Sequence, residues 1–233
     1  MSLRKNLLFT SAGDNTSFYK YWLDNDRNYD IFICYYGKKN KYKEYADYYI
    51  KRKGSKIQNF YYLWNLNENN IRNYENYYIV DDDIIIKTNE INFLFDLLNK
   101  YNLWMLQPSF NNKLSKISHK ITKNIPNNFM RFTNFIEINT PFFSKYAITK
   151  CLEIYDETLV GYGIDLLFLW YLGHEKIDKY AIVDFIMCIN PYNKNREIDK
   201  LQKEKDRISN WNIIKNKLKI NDWKHKNYHN IIN

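Results

Sequence analysis

Residues 76–101, NYYIVDDDIIIKTNEINFLFDLLNKY, place the consecutive acids Asp81, Asp82 and Asp83 between two apolar runs. The run before them, NYYIV, is rich in β-forming residues and reads as a strand. The run after them is helical. Thr88 or Asn89 caps a helix through Tyr101, and Ile91, Leu94, Phe95 and Leu98 repeat at the i, i+3, i+4, i+7 spacing of one buried face. Like charges repel, so acids crowded at the carboxyl end of a strand imply a positive partner. In an open α/β sheet that end borders the ligand crevice. In an extended segment residues i and i+2 point the same way, so Asp81 and Asp83 are expected to converge while Asp82 turns away. Converging carboxylates suit a hard divalent cation, Mg²⁺ or Mn²⁺, completed by phosphate oxygens or water. The alternative is a solvated turn balanced by nearby lysines.

Working outward, strand-like and helix-like stretches alternate. NLLFTS (6–11) and YDIFICYYG (29–37) read as strands, with a short helix NTSFYKYWLD between them that turns Phe18, Trp22 and Leu23 inward. KYKEYADYYIKRKG (41–54) reads as a helix stopped by Gly54, and IQNFYYLWNLNE (57–68) as another. LWMLQPSF is expected to be a strand stopped at Pro108, Asn111 to Asn128 a loop, and FMRFTNFIEINT a strand. PFFSKYAITKCLEIYDE is expected to be a helix with Pro141 in its first turn. KYAIVDFIMCI reads as a late strand. Arg196 to about Leu218 reads as a basic amphipathic helix with Ile198, Leu201, Ile208, Trp211 and Leu218 on its apolar side. The alternation predicts an α/β fold, a mixed, mostly parallel sheet with helices on both faces. With no repeat and no Gly/Ser linker, 1–233 is expected to be a single domain.

Composition bounds the function more loosely. The 233 residues are 45% hydrophobic and 18% aromatic, enough for a substantial core, and the formal net charge is +9. A basic balance admits nucleic acid, an anionic surface or anionic small ligands. Its lysines are dispersed and no nucleic-acid-binding signature accompanies them, which disfavours nucleic acid. Cys34, Cys151 and Cys188 lie far apart in apolar contexts, so they predict buried free thiols rather than a disulfide framework or zinc site. The start MSLRKNLLFTSAG lacks signal-peptide character, and no apolar run approaches the roughly 18 residues needed to span a bilayer. The expectation is a cytoplasmic protein, with peripheral contact to an anionic membrane as an option. Trp64, Trp104, Trp170 and Tyr171 read as core aromatics, and His225 and His229 as solvent-exposed near a frayed end.

YYIVDDDI followed by a helix resembles the D-x-D signature of GT-A-fold nucleotide-sugar glycosyltransferases. YIVDDDI, LWMLQPSF, FIEINTPFFSK, LVGYGIDLLFLWYLG and IVDFIMCINP, in that order, also resemble an uncharacterised family. That family is typified by plant proteins labelled as related to lysine-ketoglutarate reductase trans-splicing. The resemblance implies a GT-A fold with a nucleotide-binding half at about 1–108, an acceptor and catalytic half at about 109–195 and a C-terminal basic helix at about 196–220. It implies a donor of UDP or GDP type, a glycan or other hydroxyl acceptor, and Mn²⁺ or Mg²⁺ held by Asp81 and Asp83. The family's histidine six residues after Asp184 is Asn190 here, a neutral and weaker oxygen ligand.

Other residues follow from the same resemblance and from their own chemistry. In SAGDNTS, Thr10, Ser11, Gly13 and Asp14 are assigned to the donor nucleotide, since small residues let backbone N–H groups approach a ligand; a plain helix N-cap at Asp14 or Asn15 is the alternative. Lys56 matches a family lysine that could meet a phosphate, with a solvated surface lysine as the alternative, and Asp82 is grouped with the donor-binding residues. In GYGID, Gly161 and Gly163 are expected to let backbone pass close to a sugar beside the face of Tyr162. Asp165 is expected to be the general base for the acceptor hydroxyl, although an acid there is also a good helix cap. Glu137, an acid in an apolar strand, is a candidate acceptor-binding residue, with Arg131 as a possible basic partner. Asp184 either supports the site or ends a strand. Two other classes compete: a non-catalytic basic binding module, and a haloacid-dehalogenase-like phosphatase using the same D-x-D.

Overall fold

A computed structural model of the chain describes residues 4–192 and 197–232. Its centre is a mixed sheet of the strands β1 (Asn6–Ala12), β2 (Tyr29–Tyr35), β3 (Tyr48–Lys51), β4 (Asn76–Ile79), β5 (Met105–Phe110), β6 (Asn128–Thr133), β7 (Phe142–Ser144), β8 (Tyr180–Cys188) and β9 (Asn227–Ile232). The spatial order is β3-β2-β1-β4-β7-β5-β8-β6-β9. β7 is antiparallel to both β4 and β5, and β6 to both β8 and β9, so these two run against the remaining strands. The carboxyl ends of β1, β4, β5 and β8 therefore meet at one edge of the molecule.

Burial follows from pleat and periodicity. β1 and β2 are buried along their whole length, as strands covered on both faces must be. Alternate residues feed two cores: Leu7 and Phe9 face one, Leu8 the other. The first core is covered by α1 (Lys56–Leu66), α3 (Lys145–Ile154), α4 (Ile164–Leu172) and α6 (Glu204–Lys217), and the second by α2 (Thr88–Lys100). The short α5 (Ile198–Leu201) precedes α6. Ser55 starts α1 with a capping box: its Oγ accepts from Gln58 N while Gln58 Oε1 accepts from Ser55 N. On α2, Ile91, Leu94, Phe95 and Leu98 are all buried, as their spacing requires. The three cysteines are free and buried.

Several local expectations are corrected. Residues 41–54 form a tight turn and then β3, because the edge of β2 offers Tyr48, Tyr49 and Ile50 a ladder that outweighs helix propensity. The N-cap of α2 is Lys87, whose N–H donates to Glu90 Oε2 at 2.8 Å. The Thr88 hydroxyl instead donates to Tyr21 O and accepts from Asp24 N. β5 does not stop at Pro108 but runs to Phe110 with a register shift just after the proline, the bulge that a residue lacking N–H imposes. Residues 142–144 are strand, not helix, and Ser144 caps α3 by accepting from Ala147 N. Phe142 stacks on Tyr78 with centroids 3.8 Å apart, which favours insertion into the sheet. FMRFTNFIEINT is strand only to Thr133.

The tail departs further. Arg196 lies outside the described residues. The remainder breaks at the extended Gln202 into α5 and α6, with Arg207, Trp211 and Ile214 buried, while Leu201 and Ile208 are exposed. β9 then pairs with β6, so the end is not frayed. His225 is half-buried and stacks on Phe135 at 3.9 Å, and burial lowers its pKa to about 4; His229 is exposed. Trp64 is buried and Trp104 and Trp170 half-buried, whereas Tyr171 is exposed.

Trp211 seats α6 on the core, so Trp211→Ala is expected to cost about 3–5 kcal/mol in urea denaturation. Ile208→Ala, on the exposed side of the same helix, should stay within about 0.5 kcal/mol. Equal losses would refute this assignment of the buried face.

Candidate active site

The site is built where the chain leaves β4. Val80 N donates to Phe9 O, Asp81 N to Asn139 O at 3.0 Å, and Ile84 N to Asp81 O at 3.2 Å. The last bond closes a turn over residues 81–84, so the alternation of an extended strand does not apply. The turn still leaves Asp81 and Asp83 close enough for the charge of Asp81, and that of Lys56, to bear on Asp83.

Asp81 Oδ1 lies 2.8 Å from Lys56 Nζ, which also donates to Ile138 O at 2.7 Å and Asn139 O at 3.1 Å. Lys56 thus binds a carboxylate and two carbonyls in place of the open phosphate-facing position expected. Asp82 Oδ2 accepts from Gly13 N at 2.9 Å, and the Thr16 hydroxyl donates to Asp82 O. Burial, with Asp83 and Asp81 nearby, pushes the Asp82 carboxyl up to about 7. Asp83 is pushed up to about 6, by burial first and by Asp81 second. Among the described residues no other side chain donates a hydrogen bond to it.

Asn190 is brought alongside by a short antiparallel bridge. Ile85 N donates to Ile189 O at 2.9 Å and Ile189 N to Ile85 O at 3.0 Å, which sets Asn190 opposite Ile84, next to Asp83. Asn190 Nδ2 donates to Lys116 O at 3.2 Å, and among the described residues no bond to its Oδ1 is seen.

The catalytic candidates come from the other half of the sheet. Glu137 is buried, and its carboxylate accepts from Asn139 Nδ2 at 2.6 Å and Thr122 Oγ1 at 3.4 Å. Burial, then the charge of Asp165, pushes it up to about 8. Its partner is not Arg131, which pairs with Asp184 at 3.4 Å and donates to Lys123 O. Asp184 also accepts from Asn128 Nδ2 and Ile125 N, fixing the polar loop that precedes β6. Asp165 lies in the first turn of α4, accepts from Leu166 N at 2.9 Å and is pushed up to about 6 by burial.

The nucleotide-side residues are placed less openly than expected. The Thr10 hydroxyl is buried and donates to Val80 O, and Ser11 Oγ accepts from Asn59 Nδ2. Asp14 accepts from the Tyr35 hydroxyl and from Lys38 N and Lys39 N. These bonds, Tyr35's above all, hold its pKa down to about 2. Gly13 is needed for packing, since a Cβ there would meet the Tyr36 ring at 2.7–2.8 Å. Gly161 and Gly163 have φ of +82° and +84°, and their missing Cβ atoms make room for Ile198 and Trp211, each 2.5–2.6 Å from where one would sit. The C-terminal helices, not a sugar, occupy that space. Tyr162 between them is exposed.

Tyr36, Thr16, Asn59 and Asn139 were missed. Tyr36 is half-buried, and burial with the charges of Asp82, Glu197, Asp81 and Asp83 raises its phenol pKa, so it borders the acids. The only hint was its place at the carboxyl end of β2. Asn139 gave none, because its role arises from the fold-back to β4.

The donor set can be tested against a metal. Among the described residues no group of three or more His, Cys, Asp or Glu side chains could hold an ion. The hard oxygens at hand are the Asp83 carboxylate, the Asn190 side-chain oxygen and Asp81, whose side chain is 41% exposed but paired to Lys56 through Oδ1. They fit Mg²⁺ or Mn²⁺ only with most of the coordination supplied by diphosphate and water.

The order and direction of the strands, with helices on both faces, define a GT-A-like α/β fold. Solved structures agree at the level of fold: Staphylococcus aureus TarS superposes with a TM-score of 0.59 at 11% identity over 94% of this chain. TarS 1–349 in complex with UDP-GlcNAc gives 0.58 at 10% identity over 94% of this chain, and the complex with UDP gives 0.56 at 10% over 94%. The chain spans 40% of the length of TarS, and 68% and 67% of the two complexes. No family model and no curated protein matches the sequence. Among the described residues no helix is long and apolar enough to cross a membrane.

Glu137 supplies a check on the site's electrostatics. Its folded pKa of about 8 lies above the ordinary 4.5, so its charge destabilises the fold increasingly above pH 4.5 and fully above pH 8. Glu137→Gln is expected to be more stable than wild type by about 2–4 kcal/mol at pH 9, the gap closing toward pH 5. A pH-independent difference in urea midpoints would contradict the buried, desolvated carboxyl.

Proposed function

We propose that the chain is a metal-dependent glycosyltransferase that moves a sugar from a nucleoside-diphosphate sugar to a hydroxyl acceptor. One observation carries the reading. A GT-A-like sheet gathers Asp83, Asn190, Asp165 and Glu137, with carboxyl pKa values raised, around the carboxyl end of β4. The UDP and UDP-GlcNAc complexes of TarS make a UDP-sugar the first donor to test. The same fold disfavours the phosphatase reading of the acids. The kinship to the plant-typified family rests on the order of shared motifs, and a cytoplasmic setting on the three buried free thiols.

The two inner acids divide the work by their pKa values. Asp165, at about 6, is ionised at neutral pH and accepts the acceptor hydroxyl's proton. Glu137, at about 8, keeps its proton at neutral pH and serves as a hydrogen-bond donor to an acceptor oxygen. Asp83 and Asn190 would hold Mg²⁺ or Mn²⁺, which supplies electrostatic stabilisation of the departing diphosphate. Gly13 N–H is tied to Asp82, which fixes the β1 loop against the acidic turn on the donor side.

The test joins binding to turnover. UDP with Mn²⁺ should raise the thermal midpoint, since a ligand of the native state stabilises it. Asp165→Asn should retain that shift while transfer from a panel of nucleotide sugars falls about 10²–10⁴-fold. Full turnover in Asp165→Asn would remove the base; no shift with any nucleoside diphosphate would remove the donor site.

A further inference from the structure

One acid of the triple-aspartate turn already has its cation. Lys56 Nζ is within 2.8 Å of Asp81 Oδ1, 2.7 Å of Ile138 O and 3.1 Å of Asn139 O. An ammonium has three donors, and these three acceptors account for all of them. The Lys56 side chain is 9% exposed, and its backbone opens α1 beside the Ser55 capping box. The amine is therefore held from two sides, by a helix start and by the crossing segment at 138–139. Asp82 is likewise committed, to Gly13 N.

We infer that Lys56 is a positioning residue that withdraws Asp81 from metal ligation, so that the divalent cation enters on Asp83 together with the nucleoside diphosphate rather than ahead of it. The inference rests on the glycosyltransferase reading of this site. Its chemistry is simple. Affinity for a hard cation rises with the number of anionic ligands offered. With Asp81 Oδ1 paired to Lys56 and Asp82 Oδ2 bonded to Gly13 N, Asp83 is the acid of the turn without a hydrogen-bonded side-chain partner among the described residues, and Asn190 across the Ile85–Ile189 bridge is neutral. Phosphate oxygens then supply most of the negative charge that the cation requires. Binding of the two ligands becomes mutually dependent, and linkage makes that dependence equal in both directions.

The experiment is a Mn²⁺ titration followed by the electron paramagnetic resonance signal of the free hydrated ion, with and without UDP, on folded proteins checked by circular dichroism. Wild type should bind Mn²⁺ weakly alone and about tenfold or more tightly with saturating UDP. Lys56→Met should raise the UDP-free affinity by about tenfold, because Asp81 joins Asp83, and adding Asp81→Asn to that variant should cancel the gain. Asp81→Asn alone, which leaves the Lys56 bonds to Ile138 O and Asn139 O, should keep the UDP-dependent affinity, whereas Asp83→Asn should lose it. If Asp81→Asn costs as much Mn²⁺ affinity as Asp83→Asn while UDP still promotes binding in wild type, Asp81 is a ligand and the inference is overturned. An unchanged UDP-free affinity in folded Lys56→Met overturns it as well. If wild type shows no UDP-dependent Mn²⁺ uptake, the glycosyltransferase reading falls first and takes the inference with it.

Discussion

The site depends on a reversed strand. β7 runs antiparallel between β4 and β5, and its insertion carries residues 137–141 back across the end of β4. Ile79 N then donates to Pro141 O and Asp81 N to Asn139 O, while Lys56 reaches the carbonyls of 138 and 139. Stacking of Phe142 on Tyr78, with Phe95 edge-on to Phe142 at 4.9 Å, holds the short strand in place. Without that crossing, Glu137 and the aspartate turn would belong to separate halves of the sheet. Ring packing in the second core thus helps set the distance between Glu137 and the aspartate turn.

The charge pattern works in the opposite sense to the overall composition. A chain of net charge +9 concentrates Asp81, Asp82, Asp83, Glu137 and Asp165 at one end of its sheet and raises the pKa of four of them. Burial is the first cause in each case, so the fold is stabilised less by these acids than neutral residues would stabilise it. Clustered acids with raised pKa values at the carboxyl end of a sheet point to a functional cluster more often than to a structural one. Asp14 shows the contrast: three donors hold it low, and it organises the turn at 37–39.

Much of the frame was legible because it is local. β1, β2, β4 and β8 are rich in apolar and β-forming residues, and α2 follows helical periodicity. What escaped is set by distant partners. β3 forms because β2 has a free edge, β7 because an aromatic slot waits beside Tyr78, and β9 because β6 would otherwise be the sheet's edge. At the site, the positions of Asp83, Glu137 and Asp165 were readable as residues but not as geometry. Period-two alternation fails at Asp81–Asp83 because the Ile84 N to Asp81 O bond closes a turn, which the turn preference of aspartate allows and the alternative of a turn balanced by lysine anticipates in the Asp81–Lys56 pair. Thr10 and Ser11 follow a small-residue loop pattern, yet hydrogen-bond to Val80 and Asn59 inside the fold.

Gly161 and Gly163 carry the lesson furthest. Glycine beside an aromatic and an acid is what a sugar-contacting turn needs, and the same pattern also arises wherever another element must approach closely. Here Ile198 and Trp211 fill the space that two Cβ atoms would take, and Asn210 Nδ2 donates to Thr158 O at 2.9 Å to fix α6 over the turn. The C-terminal helices therefore shape the loop that presents Asp165, even though they contribute no residue to its hydrogen bonds. Glu197, just ahead of α5, bears on Tyr36 from the far side of the acidic turn. The segment from Glu197 onward consequently bears on Tyr36 electrostatically and packs against Gly161 through Ile198. The orientation of Asp165 is thus coupled to tail packing rather than to the GYGID motif alone.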